Sequence, residues 1–192
     1  MTNKANSLGT LPHQTGAALI TGLIFLVVLT MIGVTAARMS TLEERMSGNM
    51  RDRSIAMQAA EMALRDAERD IRNAVTASAR NISGISDFVA DCGESTAVTT
   101  DDGLCYNGGA GYGTPIWTTA DMTAEPSVQY GQFTGAADIV GVDRQPRYII
   151  EGIEKPLPGD DAGTNYYYYR ITVRAEGANR NTVVWLQEVY RP

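Results

Sequence analysis

Apolar and polar positions alternate in three different ways along this chain, and each way predicts a different element. Residues 17–37 form a run of 21 without a charge. At a rise of about 1.5 Å per residue, some 20 residues cross a hydrocarbon core of about 30 Å. The run shows no polar face, as a buried helix of a soluble domain of that length would. It predicts a transmembrane helix over residues 17–37. From Arg38 onward there is no proline until Pro115, and Ala, Glu, Arg, Met and Leu dominate to about residue 77. Apolar residues recur in steps of three and four at Met39, Leu42 and Met46, then at Met57, Ala60, Leu64, Ala67, Ile71 and Val75. That spacing predicts an amphipathic helix over residues 38–78, continuous with the apolar one, about 60 residues and 90 Å long in all. Glu61 with Arg65 and Glu68 with Arg72 are i,i+4 pairs with the acid leading. Gly48-Asn49 is the place where bending or fraying is expected.

The pattern then changes period. Residues 79–145 read as an irregular connection, dense in glycine and broken by Thr, Asp and Ser. It is long for a structureless loop, and such connections often carry a binding surface. Beyond Pro146 the period becomes two. Residues 147–154 carry Tyr148, Ile149, Ile150 and Ile153. Over 166–175, Tyr167, Tyr169, Ile171, Val173 and Ala175 face one way and Arg170, Thr172 and Arg174 the other. A turn at 177–181 leads to a last strand over 182–190. The expected fold class is α+β: a long N-terminal helix packed on a small antiparallel sheet, two layers around one core. The expected organisation is a leader at 1–16, the membrane helix at 17–37, its amphipathic continuation at 38–78 and a head at 79–192, with the irregular loop at 79–145 and the strands at 146–192.

Charge narrows the function. The chain carries 16 Lys plus Arg against 22 Asp plus Glu. Residues 74–192 hold 8 basic and 15 acidic residues, a net of −7. An acidic head without a basic stripe repels phosphate backbones, so no nucleic-acid partner is expected. His13 is the single histidine and it precedes the apolar run. Loss of the leader would leave none, which removes Ser-His, Cys-His and His-metal chemistry together. No enzyme, cofactor or metal site is assigned. Asp101-Asp102-Gly103 and Gly159-Asp160-Asp161 offer oxygen ligands of the kind calcium takes, but match no complete loop pattern. Trp117 and Trp185 are expected to pack. Half of Tyr166-Tyr-Tyr-Tyr169 is expected in the core, and half at the sheet face or a subunit contact.

Cys92 and Cys105 lie 13 positions apart. An even cysteine count in an exported chain points to a disulfide rather than two free thiols. Closing so short a loop would stabilise the fold by about 3 kcal/mol. The cysteines and the acidic head place everything after Arg38 on the periplasmic side. Lys4 in the leader agrees with that orientation, while Arg38, Arg45, Arg51 and Arg53 oppose it. The apolar core is longer than that of a secretory signal peptide and does not end in a small-x-small site. Instead, Gly16 stands directly before it.

Gly16 followed by the apolar run resembles the class III leader of type IV pilins. Ser40-Thr-Leu-Glu-Glu-Arg-Met-Ser-Gly-Asn-Met-Arg-Asp-Arg53 and Ala56-Met-Gln-Ala-Ala-Glu-Met-Ala-Leu-Arg-Asp-Ala-Glu68 resemble the N-terminal region of the PilX family of minor pilins. Tyr169-Arg-Ile-Thr-Val-Arg174 and Asn181-Thr-Val-Val-Trp-Leu-Gln187 are similar to that family's closing strands. The resemblance implies that a prepilin peptidase cuts between Gly16 and Ala17 and methylates the new amino terminus at Ala17. It implies residence in the inner membrane, then in a pilus or its initiating complex. Its implied partners are other minor pilins, the major pilin and a tip adhesin, with pilus-driven twitching motility as the readout. Pilins usually carry a glutamate five residues into the mature chain, where this chain has Thr21. That departure suits a subunit that is incorporated first and sits at the tip. The competing readings are a minor pseudopilin of a type II secretion system and an unprocessed, membrane-anchored periplasmic binding module.

Overall fold

The computed structural model describes residues 16–72, 80, 82, 84–90, 92, 100–106, 115–156 and 165–192. Two compact units divide between Ser47 and Gly48. The leader up to Thr15 and the acidic turn at 159–161 lie outside the described residues, as do residues 73–79, where the helix was expected to end.

Helix α1 (Ala17–Ile71) is a single 55-residue element. It runs through Gly48-Asn49 without a break, and Arg72 already lies in a turn. In the first unit every described residue is exposed, including Leu23, Ile24, Phe25, Leu26 and Leu29.

In the second unit the end of α1 packs on a sheet. The strands are β1 (Val89–Ala90), β2 (Leu104–Tyr106), β3 (Val128–Gln129), β4 (Arg147–Pro156), β5 (Asn165–Glu176) and β6 (Val183–Tyr190). Their order is β1-β2-β4-β5-β6, with β3 also on β4. The meander β4-β5-β6 is antiparallel with an unbroken register, Tyr148 opposite Val173 and Val173 opposite Leu186. β5 takes one edge of β4. β3 and β2 share the other, β3 antiparallel at 147–148 and β2 parallel at 150–152. The sheet is therefore mixed, where an antiparallel one was expected. The parallel part comes from the stretch read as irregular, in strands of two and three residues that are too short to display a period of two.

The core explains the fold's economy. Ala56, Ala60, Ala63 and Ala67 are fully buried, and Ala59 and Ile71 nearly so. Against them lie Tyr148, Ile150, Tyr169, Ile171, Val173, Ala175 and Val184. Small side chains on the helix let it approach the sheet, and the bulky strand residues then fill the layer between. Each fully buried Ile, Val or Tyr contributes about 1.5–3 kcal/mol. The expected stripe holds at Ala60, Ala67 and Ile71, all buried, but only in part at Met57 and Leu64. Those two side chains are half-buried at its margins, and alanines occupy its centre.

At the β5–β6 turn the chain backbone comes close to the helix. A Cβ at Gly177 would stand 2.5 Å from Asp52 Oδ1 and 2.9 Å from the Asp52 carbonyl oxygen, so only glycine fits. The Asn179 N–H donates to the same Asp52 Oδ1 at 3.1 Å.

Candidate assembly site

The residues singled out at the N-terminus sit at the start of α1. Gly16 precedes its first turn and Ala17 opens it. The Thr21 hydroxyl donates to the Ala17 carbonyl at 2.8 Å. Thr30 and Thr35 do the same to Val27 and Met31, at 2.8 and 2.6 Å. A threonine hydroxyl bonded to its own helix leaves no polar group to be satisfied in lipid. The best apolar window of this helix has a mean hydropathy of 2.6 and none of it is buried. An uncharged surface of this extent is stable only in a bilayer or against other apolar helices. Further along, Met39, Leu42, Met46 and Met50 stay exposed on one helical stripe.

The head contains ionised groups, but they are engaged in holding it together. Asp66 accepts from the Gly131 N–H at 2.8 Å and from the Thr134 hydroxyl. Asp70 Oδ2 accepts from the Tyr148 hydroxyl at 3.2 Å and lies 3.6 Å from Arg80 Nε, with both charged side chains fully buried. The Arg80 guanidinium lies 3.9 Å over the Phe133 ring. Burial raises the Asp70 carboxyl above its ordinary range, and the Arg80 charge only partly offsets this. Burial also pushes the Tyr148 hydroxyl well up and the Arg80 guanidinium down. These residues were missed in the sequence. The available signal was Asp66 and Asp70, four apart and in phase with the buried alanines.

On the outer sheet face a second small core gathers Cys92, Cys105, Ile116, Met122 and Ile149. Cys92 and Cys105 are bonded to each other. Glu151, also missed, is buried beneath a 3-10 turn at Ile116–Thr118. Its Oε1 accepts from the Ile116 N–H at 3.0 Å, and its Oε2 lies 3.4 Å from Arg170 Nε. Trp117 packs on this core and meets Trp185 at 6.1 Å between ring centroids. Trp185 remains 46% exposed, so it is only partly the packing residue expected. Tyr169 is buried and Tyr167 half-buried, while Tyr166 and Tyr168 flank the Arg191 guanidinium. Among the described residues no three of His, Cys, Asp and Glu converge as metal ligands.

Two family models match the sequence. One, described as PilX N-terminal, covers residues 15–65, and the other, described as type IV pilus assembly protein PilX C-term, covers residues 101–192. The chain belongs to the PilX family of type IV pilus assembly proteins. No curated protein and no solved structure matches it. The N-terminal match takes in Gly16, Ala17, Thr21 and most of α1, and the C-terminal match takes in β2 to β6. Membership carries a role in type IV pilus assembly, which is structural rather than catalytic. With the apolar helix it also carries membrane anchoring and association with the pilus. Between the two matches lie Asp66, Asp70, Arg80 and Cys92. The Cys92–Cys105 disulfide and the bonds of Asp66 and Asp70 to Gly131, Thr134 and Tyr148 thus tie the segment between the matches to the C-terminal one, whereas the Asp70–Arg80 pair lies within that segment.

Proposed function

We propose that this chain is a minor pilin that enters the pilus first and stays at or near its tip, helping to initiate assembly. On this reading a prepilin peptidase cuts between Gly16 and Ala17 and the Ala17 amine is methylated. The helix over 17–37 then holds the subunit in the inner membrane with the head, from residue 79 onward, in the periplasm. Its partners are other minor pilins and the major pilin, and a tip adhesin is the further protein it would help present.

The observation that carries the proposal is Thr21. Its hydroxyl is bonded within the helix, and residues 17–42 contain no carboxylate. A carboxylate in hydrocarbon is stable only when paired. In a growing fibre a glutamate at this position would meet the terminal amine of the preceding subunit. A subunit with no predecessor has no such amine to neutralise, so an uncharged, self-satisfied residue suits it. The test is to localise labelled chain on sheared pili and to compare it with a Thr21→Glu variant. Label confined to fibre ends, with fewer pili in the variant, is expected. Label spread along the shaft together with normal piliation by the variant would refute the tip placement.

A further inference from the structure

β6 ends the sheet, and among the described residues nothing pairs with its outer edge. Edge strands are normally guarded by lysines, prolines, bulges or shortness. β6 has none of these, and its one guard is an inward-turned charge, Glu188. The strand is eight residues long, Val-Val-Trp-Leu-Gln-Glu-Val-Tyr, and pairs with β5 at every position without a bulge. Its outer face presents Trp185 and Val189, the latter 62% exposed. The face turned toward α1 carries Glu188, its one charge, opposite buried Ile171 on β5.

Among the described residues no cation pairs with Glu188. It lies against Glu68 of α1, and partial burial and that carboxylate raise its pKa. The nearby Arg72 is already committed. It bonds Glu68 at 3.0 Å and donates from Nε to the Tyr190 hydroxyl at 2.6 Å. The edge therefore offers a row of backbone donors and acceptors, an apolar flank on one side and a surplus negative charge on the other.

We infer that β6 is a docking edge for an extended segment of another protein, which adds to the sheet as a strand. That segment presents β-branched or aromatic residues to the Trp185–Val189 side and a lysine or arginine to the Glu188 side. A second copy of this chain fits poorly. β6 itself contains no lysine or arginine to meet Glu188, and self-pairing sets two heads of net charge −7 side by side. The inference does not rest on the tip placement.

The test uses the full chain in detergent micelles with a short capped peptide alternating valine and lysine, and the same peptide with glutamate for lysine. Amide hydrogen exchange and fluorescence anisotropy are the readouts. The lysine peptide is expected to bind and to slow exchange along residues 183–190, and the glutamate peptide is expected not to bind. Glu188→Lys should weaken binding by about tenfold or more. Asp138→Lys makes the same charge change at an exposed position outside β6 and the strand it pairs with, and should alter binding by less than about twofold. Equal losses in the two variants would overturn the inference, because they would show only attraction to an acidic head. So would unchanged exchange along β6, or protection there that grows with the concentration of the chain alone.

Discussion

Replacing Asp66 by alanine tests what fixes the helix to the head. The carboxylate is 1% exposed and accepts from the Gly131 N–H at 2.8 Å and from the Thr134 hydroxyl. Asp66→Ala leaves both donors without a partner in a site that the surrounding loop closes. Each buried donor left unsatisfied costs about 1–3 kcal/mol, less where it is only partly buried, as at Gly131. The total expected is about 2–4 kcal/mol. For a chain of this size that lowers Tm by about 5–15 °C. Trp117 and Trp185 both lie in the head, so tryptophan emission during a thermal melt of the full chain in detergent follows the relevant unit. Thr134→Ala alone removes one of the two bonds and should cost about 1–2 kcal/mol. The two substitutions share a partner, so the double variant should be less destabilised than the sum by about 1 kcal/mol. An Asp66→Ala protein melting within about 2 °C of the parent would refute the clamp, since the range given above begins near 5 °C. Strict additivity with Thr134→Ala would do the same.

Three further outcomes are expected. Ala63→Leu, at a fully buried position facing the sheet, should push α1 off the strands and cost about 1–3 kcal/mol in the same melt. Reduction of Cys92–Cys105, or replacement of both by alanine, should cost about 2–4 kcal/mol, seen as a lower Tm that added reductant no longer changes in the variant. Burial raises the folded Asp70 pKa above its unfolded value, so the folded state holds that proton more tightly. Its contribution is fully present below the ordinary carboxylate range and is lost as pH rises through the raised value. Urea titrations across that window should show the parent losing stability relative to Asp70→Asn as pH increases, and a constant difference would contradict the assignment.

How much of this was legible in the sequence depended on the range of the interaction. The apolar run at 17–37 and the alternation over 166–175 are local patterns, and both appear as read, in α1 and in β5. The helix stripe was legible in period, and Ala60, Ala67 and Ile71 are buried as expected. Met57 and Leu64 are only half-buried, because close approach to the sheet demands alanine at the centre of the stripe. Asp66 and Asp70 interrupt that alanine line, and their partners stand far along the chain, at Gly131, Thr134, Tyr148 and Arg80. No local pattern announces such a pairing. Glu151 was hidden in the same way beneath Ile116. The parallel pairing of β2 with β4 joins residues more than forty positions apart through three-residue contact, which leaves no periodic trace. At the N-terminus the reverse holds: Gly16, Ala17 and Thr21 are read wholly from sequence, because their meaning lies in processing and assembly rather than in contacts within the fold.

The central claim is that the apolar helix stays on the chain after a short leader is removed, so that it can pass from the bilayer into a fibre of similar helices. The most direct measurement is the mass of the N-terminal peptide of the protein purified from its own cells. The account predicts a chain that begins at Ala17 with one methyl group on its amine. A chain still beginning at Met1, or one cut beyond Ala37 and lacking the helix, would contradict it.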